Sequence, residues 1–163
     1  MLLNIYRVSL LSQTYMRLFG ENMSQQGLLL LPLLGMVFIT FGIMIWMLKL
    51  RYQAVRKDGL NPRYFKLYRG GKIPDYLAKV TQHFENLLEL PILFYLAIIL
   101  VLTLNLVDIV YIILAWCFFL SRCVHTAIHT SYNKLMHRKN TFILSTVVLI
   151  LLWMRITLDV ILL

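Results

Sequence analysis

The chain has 163 residues, 60% of them hydrophobic and only 14% charged, with a mean hydropathy of +0.76. Soluble domains carry about 45–50% apolar and about 25% charged residues, so this balance excludes an ordinary water-soluble globule. The formal net charge of +9 does not mark a nucleic-acid partner, because the basic residues gather in the segments between apolar blocks, as the charge bias of cytoplasmic loops demands.

Residues 1–22, "MLLNIYRVSLLSQTYMRLFGEN", carry Arg7 and Arg17 among their apolar residues, and no small-residue cleavage site follows. They read as an N-terminal extension or peripheral amphipathic helix, upstream of a second methionine at Met23, and not as a signal peptide. Four apolar blocks follow, at 27–48, 87–107, 109–121 running on to His129, and 141–163. About 20 apolar residues cross the roughly 30 Å of hydrocarbon in a bilayer. Residues 23–163 are therefore expected to form one all-α membrane domain, a bundle of four helices near 27–49, 76–105, 109–133 and 141–162.

Pro32 falls in the first turns of the first of these helices, where a missing N–H is tolerated. Asp58-Gly59, Asn61-Pro62, Gly70-Gly71 and Pro74 mark turns in the segment 50–75. Nine of the sixteen Lys and Arg lie between the first and second blocks, and Lys134, Arg138 and Lys139 lie between the third and fourth. The turn "NLVD" between the second and third blocks has no basic residue. The positive-inside rule thus puts loops 50–75 and 134–140 in the cytoplasm and both termini outside. Cys117 and Cys123 stand six apart on one helix, point in different directions and read as free thiols.

Two polar stripes interrupt the apolar blocks. Gln82, Glu85, Asn86 and Glu89 are related by steps of three and four on the second helix, and so share a face. Arg122, His125, His129, Tyr132 and Asn133 do the same on the third. Charge inside a membrane is expensive and normally faces a partner or a wet cavity. The two stripes are expected to meet near the cytoplasmic side, with Glu89 opposite Arg122. Either they form a structural ion pair beside core histidines, or they line a polar pocket. His125-x-x-x-His129 has a spacing that can hold a transition metal, but a lone pair of this kind is weak evidence. Neither His83 nor His137 forms a second box, so no metal is expected.

"HFENLLELPILFY" followed by "AWCFFLSRCVHTAIHTSYN" resembles the MAPEG family, the membrane-associated proteins of eicosanoid and glutathione metabolism. The resemblance spans roughly residues 27–160, including the order of four helices and the basic first loop. It rests on the N-x-x-E of Asn86 and Glu89, on the R-x-x-H-x-x-x-H of Arg122, His125 and His129, and on Arg138 ahead of the last block. It implies a bacterial-type member in the inner membrane, forming a homotrimer with sites between neighbouring subunits. There glutathione would be the co-substrate of a transferase or peroxidase acting on a hydrophobic electrophile. Arg138 and Arg122 are then the catalytic candidates, and Gln82, Asn86, Glu89, Arg122, His125, His129 and Tyr132 the binding candidates. Active members of the family carry an arginine where this chain has Gln82, and the leukotriene-forming enzyme carries tyrosines where it has His125 and His129. A non-catalytic protein of the same fold that binds lipid or acts as a scaffold is the alternative.

Overall fold

A computed structural model describes residues 21–67 and 72–162. The expected extension or peripheral helix at 1–22 lies, but for its last two residues, outside the described residues, as does the Gly70-Gly71 turn. The elements are α1 (Glu21–Arg56), a four-residue α2 (Tyr64–Leu67), α3 (Asp75–Thr103), α4 (Ile109–Thr130) and α5 (Leu135–Leu162). Helices α1, α3, α4 and α5 are each long and apolar enough to cross a membrane. At 1.5 Å per residue α4 is about 33 Å long, close to the hydrocarbon thickness, while the 36 residues of α1 reach about 54 Å. The extra length of α1 carries Lys49, Arg51 and Arg56, so the helix runs past its apolar part into its basic end.

The helices alternate in direction, and α3 and α4 form the central pair. Helix α1 packs on α3 and α4, α5 packs on the same two, and α1 and α5 do not touch among the described residues. Chemically, the bundle is apolar on its outside. Phe38 is 71% exposed, with Leu31, Phe41, Ile92, Ile99, Ile113, Leu144 and Ile150 on other outward faces. So large an apolar surface suits contact with lipid, not water. The interior is apolar over most of its length, around Met36, Phe94, Ala97, Ile98, Tyr111, Ala115, Phe118 and Leu152.

Local chemistry fixes where the helices stop. Asn105 takes a left-handed φ of 56° and closes α3, with Leu106 N–H donating to Val101 O at 2.9 Å. An asparagine tolerates that conformation better than most residues. Asp108 then caps α4, its Oδ1 accepting from Val110 N–H at 2.9 Å and Tyr111 N–H at 3.0 Å. Two starts differ from expectation. Helix α1 begins at Glu21, which places Pro32 inside it, where its ring deprives the Leu28 carbonyl of a helical donor. The Trp116 indole N–H donates to that carbonyl at 3.1 Å, so α4 supplies the bond that the proline removes. Helix α5 begins at Leu135 instead of 141, because its first turns are charged and lie beyond the apolar run that marked it. Arg138 consequently sits on a helix and not in a loop.

Candidate functional site

On α4 the buried positions run Tyr111, Ile112, Ala115, Phe118, Ser121, Arg122, His125 and His129, a stripe of three- and four-residue steps facing the bundle axis. From Ser121 onward the stripe is polar. Arg122 is fully buried, and its Nη2 donates to the backbone carbonyl of Asn86 at 3.1 Å, in the turn ahead of Pro91 on α3. Its guanidinium carbon lies 5.9 Å from the centre of the Phe142 ring on α5. Nε and Nη1 have no protein partner. Leaving such a charged donor buried and unserved costs at least about 1–3 kcal/mol.

One turn below, three imidazoles converge. His83 comes from α3, His125 and His129 from α4, and all are buried. Ring centres are 4.8 Å apart for His83 and His129, 5.6 Å for His125 and His129, and 5.7 Å for His83 and His125. One nitrogen of each ring lies within 4.8 Å of one from each of the others. His83 Nε2 meets the Thr126 hydroxyl at 3.1 Å, and His125 Nδ1 meets that of Thr141 at 3.1 Å. The remaining nitrogens, His83 Nδ1, His125 Nε2 and both of His129, have no partner in the protein.

Beside this tier a cavity of about 280 Å³ is lined by Asn86, His125, Leu135, Arg138, Lys139 and Phe142. Arg138 Nη1 donates to Gln82 Oε1 at 3.1 Å and to Asn133 Oδ1 at 3.0 Å. Both acceptors are neutral amides, and no carboxylate pairs with Arg138 among the described residues. A second cavity of about 210 Å³ includes Gln82, Glu85 and Arg51 in its walls. Between α4 and α5, on the outward face, Cys117, Leu120, Val124, Leu144 and Val148 line an apolar groove of about 370 Å³.

The structure thus gathers Asn86, His125 and Arg138 around one cavity, joins Gln82 to Arg138, and sets Arg122 and His129 in the buried tier behind it. It does not join Glu89 to Arg122. Glu89 is exposed on the outer face of α3, and the ion pairs among the described residues involve only Arg155. The reason is rotation: the axis-facing stripe of α3 runs Leu77, Val80, His83, Leu87, Pro91, Phe94, Ala97, Ile98 and Val101, so Gln82, Glu85 and Glu89 lie off that stripe, with Glu89 still near enough to Arg122 for its charge to act through space. Tyr132 and Asn133 also leave the expected stripe. Helix α4 ends at Thr130, Asn133 adopts a φ of 52°, and Tyr132 is 60% exposed with its hydroxyl 2.9 Å from His137 Nδ1.

Sequence reasoning missed His83 as a partner of the α4 histidines. Its one signal was the step of three from Val80 and four to Leu87, both of which are buried. It also missed a polar lock at the far end of the bundle. There Arg155 pairs with Asp108 and lies 3.6 Å from Asp159 by its Nε, its guanidinium sits 4.8 Å from the centre of the Tyr111 ring, and the Tyr111 hydroxyl donates to Asp159 at 2.7 Å.

No curated protein and no solved structure matched the chain. A sequence model of the MAPEG family does match, over residues 29–158, a span that takes in α3, α4, the residues of the Arg138 cavity, and most of α1 and α5. With four apolar helices in that span, the chain belongs to the MAPEG family as an integral membrane protein.

Proposed function

We propose that this protein binds glutathione, or a closely related thiol, at the Arg138 cavity and directs its thiolate onto a hydrophobic electrophile, as a transferase or peroxidase. The observation that carries this reading is Arg138 itself. It is a guanidinium held by two neutral oxygens at the wall of a 280 Å³ cavity, with its charge left for an incoming anion. A tripeptide with two carboxylates and a thiol suits such a group, since guanidinium binds carboxylate through paired, charge-assisted bonds. A free thiol with a pKa of about 8.5 is mostly protonated at neutral pH, and a fixed cation beside the sulfur favours the reactive thiolate. With a carbon electrophile the thiolate forms a carbon–sulfur bond as the carbon's bond to its leaving group breaks; with a hydroperoxide it takes the terminal oxygen as the O–O bond breaks and alcohol leaves, and a second thiol converts the resulting sulfenic acid to disulfide and water. The apolar groove between α4 and α5 offers the electrophile a route from lipid.

Two features support a homotrimer with the site at the subunit boundary. The cavity is at the small end of the roughly 300–1,000 Å³ typical of small-molecule sites, so a neighbouring wall would complete it. Glu89 is an exposed carboxylate within an apolar run, a placement that lipid penalises and a partner subunit relieves. The basic segments at the cavity end support a cytoplasmic orientation for that end, in keeping with a bacterial inner-membrane protein.

Titrating glutathione into the protein in mild detergent at pH 7, and following thiolate absorbance in the near ultraviolet, tests the reading. The wild-type chain should form thiolate, and Arg138→Ala should abolish the signal while helix content is kept. Absence of binding, or binding without thiolate, rejects the enzyme. The lipid-binding or scaffold reading then takes its place, favoured by the apolar groove and by Gln82 where active relatives carry arginine.

A further inference from the structure

We infer that His83, His125 and His129 form a transition-metal site, with zinc as the expected ion and a water or small anion in the fourth position. The inference is independent of glutathione binding. The three rings come from two helices, are fully buried, and present four nitrogens with no protein partner.

The surrounding threonines fix which nitrogens carry protons. The Thr126 hydroxyl donates to Arg122 O at 2.8 Å, and the Thr141 hydroxyl to Arg138 O at 3.0 Å or His137 O at 3.1 Å. Each hydroxyl has one proton, already spent on a carbonyl of its own helix. Thr126 therefore accepts from His83 Nε2–H, and Thr141 accepts from His125 Nδ1–H. The opposite nitrogens, His83 Nδ1 and His125 Nε2, are left as bare lone pairs, and these are the atoms without a partner. Holding the far N–H of a ligating imidazole on an oxygen is how metal sites orient their histidines and raise their basicity.

The dimensions agree. Three nitrogens at about 2.1 Å from a tetrahedral metal stand about 3.4 Å apart. One nitrogen of each ring already lies within 4.8 Å of the others, so rotation of the side chains by little more than an ångström closes the set. Three imidazoles with an open fourth position are the donor set of catalytic zinc, and imidazole also suits copper, nickel and iron. His125 borders the 280 Å³ cavity, which gives the ion an entrance and the fourth position a route to small ligands. Arg122, one turn away on the same face of α4, favours an anionic fourth ligand such as hydroxide.

The test uses the full chain in detergent, purified with a histidine-free tag and stripped with chelator. Titration with Co²⁺ alone should saturate at one ion per chain, give the intense visible bands of four-coordinate cobalt, and be reversed by Zn²⁺. His83→Ala should weaken binding at least about a hundredfold and Thr126→Val by about ten- to a hundredfold, since outer-shell partners cost that much. His137→Ala, at an exposed imidazole outside the cluster, should leave binding unchanged. X-ray absorption on the zinc-loaded wild type, which does not depend on any variant folding, should show nitrogen and oxygen neighbours with three imidazole rings. Absence of stoichiometric binding, sulfur in the ligand shell, fewer than three imidazoles, or full binding in His83→Ala overturns the proposal.

Discussion

Replacing Gln82 by arginine introduces the residue that the family resemblance implies for active members, and the structure sets what it should do. Gln82 Oε1 accepts from Arg138 Nη1 at 3.1 Å, so Gln82→Arg exchanges an acceptor for a second guanidinium about 4 Å from the first. Two like charges at that distance repel by about 1 kcal/mol in water and about 4 kcal/mol at an effective dielectric of 20. Position 82 is exposed and a long side chain can swing outward, so about 1–2 kcal/mol of destabilisation is expected without ligand. Because the repulsion is screened, the loss should shrink when salt is raised from 0.01 M to 1 M. An anion between the two guanidiniums reverses the sign. One further hydrogen bond to a charged group is worth about 1.5–3 kcal/mol, or roughly a ten- to hundredfold gain in affinity. Unfolding in detergent, measured with and without glutathione at both salt concentrations, separates the two effects. If Gln82→Arg is as stable as the wild type at low salt and gains nothing from glutathione, the Gln82–Arg138 geometry does not form part of an anion site.

Four other outcomes follow from particular contacts. A Cβ on Gly35 would lie 2.6 Å from Phe119 Cε2 and 2.7 Å from Cζ, so Gly35→Ala should cost about 1–3 kcal/mol, whereas in a Phe119→Leu background the same change should stabilise α1 by about 0.5–1 kcal/mol in detergent unfolding. Asp108→Ala removes the α4 cap and one partner of Arg155 and should cost at least about 1 kcal/mol, while Asp108→Asn retains the cap and should cost less by the same measurement. In a chain lacking Cys117 and Cys123, single cysteines at Lys66, Lys139 and Asn105 should react with an impermeant reagent on intact cells only at Asn105; reaction at Lys66 would invert the orientation. Glu89→Gln should weaken chemical crosslinking to trimer if a neighbouring subunit covers Glu89, and an unchanged trimer with higher thermal stability would show that Glu89 faces lipid.

The four helices were legible because length and hydropathy answer directly to bilayer thickness. Which way each helix faces was not. In a soluble bundle a polar stripe marks the outside, but in lipid both the core and the exterior are apolar, and hydropathy loses its sense of direction. Leu93 and Phe94 are adjacent and equally apolar, yet Leu93 is 47% exposed and Phe94 fully buried. The same ambiguity hid the α3 face. Gln82, Glu85 and Glu89 formed the more visible stripe and were turned inward by the rule that membrane charge seeks a partner, while His83 among leucines and valines gave no sign of its own. Residues on α4 were easier. Arg122, His125 and His129 stand alone in apolar sequence, and their common face followed from spacing. The start of α5 was invisible for a different reason, since a helix that continues beyond the hydrocarbon carries no apolar mark.

The two ends of the bundle treat their polar groups differently, and the difference bears on function. At the far end Arg155 has two carboxylates within reach, the Tyr111 hydroxyl donates to one of them, and the other carboxylate also caps a helix. Each charged group there has a partner within one chain, as expected of a lock that holds α4 against α5. At the basic end Arg122 keeps two unserved nitrogens and the histidines four, with no carboxylate paired to either arginine of the tier. Burying such groups unpaired lowers stability, and a structural role for them would be met better by the leucines and phenylalanines that fill the rest of the axis. Local rules are broken where a protein needs an unsatisfied group for something else. Among the described residues most of the surplus donors and lone pairs, six of them on Arg122 and the three histidines, lie at this end beside the cavity that Arg138 borders. The proposed ligands at that end, an anion at the arginines and a metal at the imidazoles, would satisfy those groups without requiring the rest of the bundle to differ from a plain apolar scaffold.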